Sequence, residues 1–309
     1  MNTSPWVRRF GLGLAAVGRP AYITLGRSED LAAARSVQDM EARCHELLDR
    51  AWALGVRYVD TARSYGHAER FLGSWLAAHP GRREQLTIGS KWGYEYVGGW
   101  SLDAALHERK DHSLTLFRRQ WPESLEALGS APDVYLIHSV TPDSPALADE
   151  ALLAALRELT GTGVRVGIST SGPEQGAVLE RALDLTDSPF TAVQSTWNLL
   201  ERSVGPALAQ AHDEGWLVVV KEGVANGRLT AHGADPAISS LARIDGQTVD
   251  AFALGAVIAQ PFVDITLSGA VTVQQLEQNL AARPPAGALE GVVERPEDYW
   301  ATRSALPWA

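Results

Sequence analysis

Cysteine is almost missing from this chain: its 309 residues include one, Cys44. A single thiol excludes an intramolecular disulfide and any cysteine-based metal cluster. Long apolar runs are missing too. None approaches the roughly 18 residues of a membrane span, and residues 1–10 carry no apolar signal core, so a cytoplasmic setting without a membrane partner is expected. Positive charge is scarce: 27 Lys and Arg face 37 Asp and Glu, a formal net charge of -10. Nucleic-acid surfaces cluster Lys and Arg on one face, so no nucleic-acid partner is expected. A phosphate-bearing ligand stays open, because a pocket can oppose the global sign.

Core material is plentiful. Hydrophobic residues make up 45% and charged residues 21%, the balance of a globular protein. Residues 10–14 form a glycine-spaced strand candidate, followed by a polar loop over 21–37. Apolar residues then fall at Met40, Cys44, Leu47, Leu48, Ala51 and Trp52, which is helical spacing that also puts Cys44 on a buried face. Gly55 stops that helix, and a β-branched strand follows at 56–60.

The unit then repeats. Helices are predicted at 69–78, 113–128, 145–159, 173–185, 202–214 and 247–258, with a last one from Thr272. Strands are predicted at 86–90, 134–137, 164–169, 191–195, 216–220 and 262–267, with a long loop over 93–111. Near-continuous Val, Ile and Leu in such strands implies a parallel sheet buried on both faces. About eight βα units without a break in composition fit one (β/α)8 TIM barrel over residues 1–309, with a tail from about 284. An open doubly wound sheet is the alternative.

The active site of such a barrel lies at the carboxyl ends of its strands. There the second strand ends in Asp60, with Tyr65 on the loop after it; the third ends in Ser90-Lys91; the fourth ends in Ile137-His138. A buried Lys91 needs an anion to stay charged, and Asp60 is the natural one. A charged Lys91 beside Tyr65 is expected to lower the phenol from about 10 toward neutrality. A Tyr so tuned exchanges a proton with a carbonyl or alcohol oxygen. His138 would orient that oxygen or share the proton. Hydride must come from a cofactor, since no side chain supplies one.

With Asp60-Thr61-Ala62-Arg63-Ser64-Tyr65-Gly66, Ser90-Lys91 and Ile137-His138 in this order, the sequence resembles the aldo-keto reductases from Gly11 to about Asn279. The resemblance implies an NAD(P)H-dependent oxidoreductase with Tyr65 as acid/base, tuned by Lys91 and Asp60 and assisted by His138. It also implies an extended cofactor and no dinucleotide-binding glycine fingerprint at Gly11-Leu12-Gly13. Ser169, beside a departing Thr170, and Gln194 match carboxamide-binding positions. Trp197 stands for the aromatic that stacks on nicotinamide. Lys221, Gly223 and Arg228 match the diphosphate region, and Gly269, Val271, Gln275 and Asn279 the adenosine end. NADPH is the expected cofactor, with NADH as the second option because Gly269, Val271 and Gln275 stand where many NADP-specific members carry Lys or Arg.

Trp92 and Trp100 border the site and are candidates for the substrate pocket; with Tyr94 and Tyr96 they point to an apolar or ring-shaped substrate. Trp52 and Trp75 read as packing residues, and His45 and His67 as structural. His107 and His112 have no ligand-spaced carboxylate, so no metal is expected. Lys221 could instead pair with Glu222. The expected activity is reduction of a small aldehyde or ketone, or its reverse on an alcohol or lactol. Two other readings are a cofactor-bound regulatory subunit and a lyase or dehydratase using Glu222 as an acid.

Overall fold

Eight short parallel strands close on themselves in the computed structural model, which describes residues 4–31, 35–233, 235–287 and 292–308. Residues 32–34 of the first loop and 288–291 of the tail lie outside these. The strands in chain order are β1 (Phe10–Gly13), β2 (Tyr58–Asp60), β3 (Thr87–Trp92), the hairpin pair β4 (Tyr94–Tyr96) and β5 (Glu108–Lys110), β6 (Val134–Val140), β7 (Arg165–Thr170), β8 (Phe190–Thr196), β9 (Leu217–Lys221) and β10 (Ile265–Ser268). The barrel runs β1-β10-β9-β8-β7-β6-β3-β2 and closes by β2 pairing with β1. This is the (β/α)8 TIM barrel.

The helices are α1 (Arg27–Asp30), α2 (Val37–Leu54), α3 (Ala68–Ala78), α4 (Leu114–Leu128), α5 (Glu150–Thr160), α6 (Gln175–Leu183), α7 (Gly205–Asp213), α8 (Pro236–Ile244), α9 (Val249–Ile258), α10 (Val273–Leu280) and α11 (Pro296–Ser304). Their caps follow from sequence. Ser36 and Asp39 form a reciprocal capping box on α2, and Gly55 ends that helix at φ 97°. Ser113 caps α4 by accepting from the Leu116 amide at 3.1 Å. Among the described residues, no helix is long and apolar enough to cross a membrane.

Two glycines set the floor of the site. A Cβ on Gly11 would meet Tyr58 Cδ1 at 2.8 Å, and one on Gly89 would meet Tyr58 Oη at 2.5 Å. The Tyr58 ring therefore fills the barrel interior between β1 and β3, below Asp60. Register puts Gly13 and Gly89 on either side of Asp60, which leaves its carboxylate room at the strand ends.

Three elements depart from the sequence reading. The 93–111 segment is a loop only in part: β4 and β5 pair antiparallel within it, pinned by Gln120, whose side chain accepts from the Gly93 amide and donates to the Tyr94 carbonyl, both at 2.9 Å. Helix α8 stands between β9 and α9, where the alternation of units gives no place for it. The tail ends in helix α11, with Tyr299 and Trp300 buried against Leu199, Leu229 and Phe252.

Candidate active site

Asp60 and Lys91 meet at the carboxyl end of the barrel. Lys91 Nζ donates to Asp60 Oδ2 at 2.6 Å and to the Thr61 carbonyl at 2.9 Å, with the ammonium fully buried. Gln194, from β8, donates to Asp60 Oδ1 at 2.8 Å, so both carboxylate oxygens are held. Burial pushes Lys91 down from its ordinary value while Asp60 pulls it back up. Removing one partner of such a pair strands a buried charge and costs about 3–5 kcal/mol.

Tyr65 lies over this pair, with Lys91 Nζ 4.8 Å from its ring centroid. Its Oη stands 3.5 Å from His138 Nε2, and His138 Nδ1 lies 3.3 Å from Ser64 Oγ. The phenol is pushed well above 10, first by burial and then by the Asp60 carboxylate. This corrects the expected lowering toward neutrality: the ammonium is engaged by Asp60 and Thr61, and burial and the Asp60 carboxylate outweigh the Arg19 cation at the phenol. His138 is held neutral, well below 6.5, by burial and then by the positive charges of Lys91, Lys221 and Arg19. At neutral pH the rim thus presents a protonated phenol beside an uncharged imidazole.

Asp60, Tyr65, His138 and Gln194 line a cavity of ≈ 250 Å³ that also touches Lys221, Gly223 and Gly269. A second cavity of ≈ 450 Å³ shares Ala16, Tyr22, Thr24, Val224 and Gly269 with the first and is lined by Gln275 and Asn279. Of the remaining positions, several lie elsewhere. Trp92 follows Lys91 on β3, so strand alternation turns it outward onto Phe117 of α4, ring centroids 5.1 Å apart. Trp100, at φ 61°, turns away to stack on His67 at 4.9 Å and donates to the Arg35 carbonyl at 2.8 Å. Trp197 packs behind the wall against Phe262 and Gly205. Ser169 is buried as acceptor of the Ser139 amide at 2.7 Å, and Thr170 bonds Ser195 at 2.6 Å; Ser171 is the β7-end residue that reaches the cavity. Arg228 ion-pairs with Glu294 over the Tyr299 ring.

Lys221 does not pair with Glu222. Arg303 of α11 holds the Glu222 carboxylate at 2.6 Å, and Thr196 donates to it at 3.1 Å. Burial opposes ionisation of Glu222, yet the charges of Arg303 and Lys221 keep it at about 2. Lys221 Nζ donates to Thr196 Oγ1 at 3.0 Å, and burial lowers it to about 8.

Apart from Tyr94, the other wall residues do not stand out in the sequence. Arg19 ion-pairs with Glu108 at 2.8 Å, and its guanidinium lies 4.9 Å from the Trp308 ring, which stacks on His107 at 4.4 Å. Tyr22 and Tyr94 complete this mouth. Their only sequence signal is aromatic and charged density in the 21–37 loop, the 93–111 loop and the tail. His112 ties the end of β6 by bonding the His138 carbonyl at 2.8 Å and Ser144 Oγ at 2.6 Å.

A parallel barrel with a buried Lys–carboxylate pair beneath a Tyr and a His defines a class of site. The model of the Aldo/keto reductase family matches residues 24–284, and the chain belongs to that family. It is thus an oxidoreductase, of a family that uses nicotinamide cofactors and small carbonyl substrates. The protein Tas of Escherichia coli strain K12 is 30% identical over 301 residues, spanning 79% of this chain and 85% of that one. A D-threo-aldose 1-dehydrogenase of a Pseudomonas species is 27% identical over 251 residues, spanning 74% and 71%. Among solved structures, the holo form of an aldo-keto reductase from Bacillus halodurans superposes with TM-score 0.66 at 22% identity over 96% of this chain and 91% of that one. A glycerol dehydrogenase from Gluconobacter oxydans gives 0.65 at 21% identity over 96% and 90%.

Proposed function

We propose that this chain interconverts a small carbonyl compound and its alcohol with a nicotinamide dinucleotide, and that Tyr65 Oη handles the proton. The observation that carries the reading is Tyr65 Oη, 3.5 Å from His138 Nε2, above a Lys91–Asp60 pair closed at 2.6 Å. Three buried amide oxygens on residues lining the two adjoining cavities, Asn226 Oδ1 and the pair Gln194 Oε1 and Asn279 Oδ1, lack a hydrogen-bond partner. A dinucleotide with an amide N–H₂ at one end and an exocyclic amine at the other fits this pair of orphaned acceptors. When bound, the cofactor supplies or accepts hydride.

The protein's own part is proton and oxygen handling. Tyr65 keeps its proton through the neutral range, so it serves as donor to the oxygen of a carbonyl. Neutral His138, braced by Ser64, hydrogen-bonds the same oxygen and orients it. The buried Lys91 ammonium then faces the phenolate that remains, while Asp60 and Gln194 fix its position. Acid/base assistance of this kind is worth about 10²–10⁴ in rate. Lys221 and the backbone at Gly223 and Gly269 line the path of the diphosphate. A hydroxylated substrate suits the mouth, where Arg19 and Glu108 supply polar groups beside Tyr22, Tyr94 and Trp308; the aldose in the name of one relative points the same way.

The dehydratase alternative is disfavoured, because it needs Glu222 as a proton donor and Arg303 holds that carboxylate ionised. Incubation of the protein with reduced dinucleotide and a panel of aldoses, lactols, aliphatic and aromatic aldehydes tests the reading. Equimolar loss of reduced nicotinamide and carbonyl is expected, with aldoses or other hydroxylated compounds ahead. Substrate conversion without nicotinamide turnover would overturn it in favour of a lyase.

A further inference from the structure

The geometry points to NAD(H), and not its 2′-phosphorylated form, as the dinucleotide this chain takes; the inference rests on the oxidoreductase reading above. It comes from the second cavity, which adjoins the first through Ala16, Tyr22, Thr24, Val224 and Gly269. A ligand with its reactive end at Tyr65 and an extended body would place its far end there. Asn279 marks that end. Its Nδ2 donates to Ser268 Oγ at 2.8 Å, while its Oδ1 is an acceptor without a partner on a residue 6% exposed. An orphaned acceptor asks for an N–H or O–H, such as an adenine amine or a ribose hydroxyl, and repels a phosphate oxygen.

Two carboxylates and one guanidinium stand in that wall. Asp30 and Asp250 both face the cavity. Arg27 is the one Arg or Lys among the described residues of the wall, and its guanidinium is buried and committed to the carbonyls of Ala16, Arg19 and Pro20. His232 sits between Glu29 at 3.3 Å and Asp30 at 3.5 Å, so any charge it carries is already matched. The start of α10 is the obvious rival site for a phosphate, but one of its donors and an amide just before it are spent internally. The Gln275 amide donates to Thr272 Oγ1 at 3.1 Å, and the Val271 amide donates to Gln275 Oε1 at 2.9 Å. A 2′-phosphate would bring a charge of about -1.5 to -2 among carboxylates, with no uncommitted Arg or Lys among the described residues of the wall. A ribose 2′-hydroxyl would instead find carboxylate acceptors, the arrangement that selects NAD in other dinucleotide sites.

Tryptophan-fluorescence titration of the full chain with NADH and with NADPH, without any carbonyl compound, tests this. NADH is expected to bind about 100-fold tighter, and the gap should narrow as salt rises, because the discrimination is repulsive. In Asp250→Asn, NADPH should bind about tenfold tighter than in the wild type, with NADH bound no tighter. NADPH binding as tight as NADH overturns the inference alone. A gap that Asp250→Asn and salt both leave unchanged overturns its electrostatic basis. Failure of both dinucleotides to bind overturns it together with the oxidoreductase reading.

Discussion

Asp60, the carboxylate at the end of β2, is a residue whose setting can be read from the chain alone. An acid closing a β-branched strand needs a cation, and the third strand ends in Lys91; the two meet at 2.6 Å. What the residue pattern does not convey is the net effect on Tyr65, because burial, the Asp60 carboxylate and the Arg19 cation compete at one phenol. The outcome, a phenol well above 10, suits Tyr65 to proton donation. Asp60→Asn keeps the shape but removes the anion. It is expected to lower turnover by about 10²-fold while the dinucleotide dissociation constant moves little; stopped-flow hydride transfer beside a binding titration separates the two. Lys221 gives a second prediction. Burial brings its ammonium down to about 8, so the cation is present below that pH and lost above it. Dinucleotide affinity should therefore fall about tenfold between pH 7 and 9.5, and Lys221→Met should flatten that profile.

Hairpins and tails are harder to read than barrel strands. A strand buried on both faces announces itself as an apolar run, as Val218-Val219-Val220 does in β9. Strands β4 and β5 are three polar or aromatic residues each, and what holds them is Gln120 from a separate helix. Helix α11 depends in the same way on distant partners. Tyr299 Oη accepts from Asn198 at 3.0 Å, and Arg303 reaches Glu222, itself at φ 56°. None of these pairings shows in local periodicity. Arg303→Met leaves the Glu222 carboxylate buried without its cation and is expected to cost about 3 kcal/mol, read as a lower urea midpoint.

Across the whole molecule, the repeat of strand and helix makes the closed barrel legible, and the rule that barrel sites lie at the carboxyl ends of strands locates the rim. Side-chain direction is what these patterns do not carry. Proximity in sequence points Trp92 and Trp100 toward the pocket, and family resemblance points Trp197 toward the nicotinamide. Strand alternation at Trp92, a left-handed backbone at Trp100 and packing of Trp197 on Phe262 turn all three aside. The same burial that shapes the rim sets how the fold responds to acid. His112 falls to about 4 from 6.5, chiefly by burial, so the unfolded chain binds a proton that the folded chain refuses. The contribution of this group to stability is full above pH 6.5 and declines as pH falls toward 4. At pH 5 it alone should remove about 2 kcal/mol, measurable by urea unfolding at pH 7 and pH 5.

The central claim remains the proton at Tyr65 Oη. Single-turnover hydride transfer in Tyr65→Phe, measured beside dinucleotide binding, tests it most directly. The account predicts a loss of at least about 10²-fold in rate with binding within about twofold of the wild type; a variant that transfers hydride at the wild-type rate would contradict it.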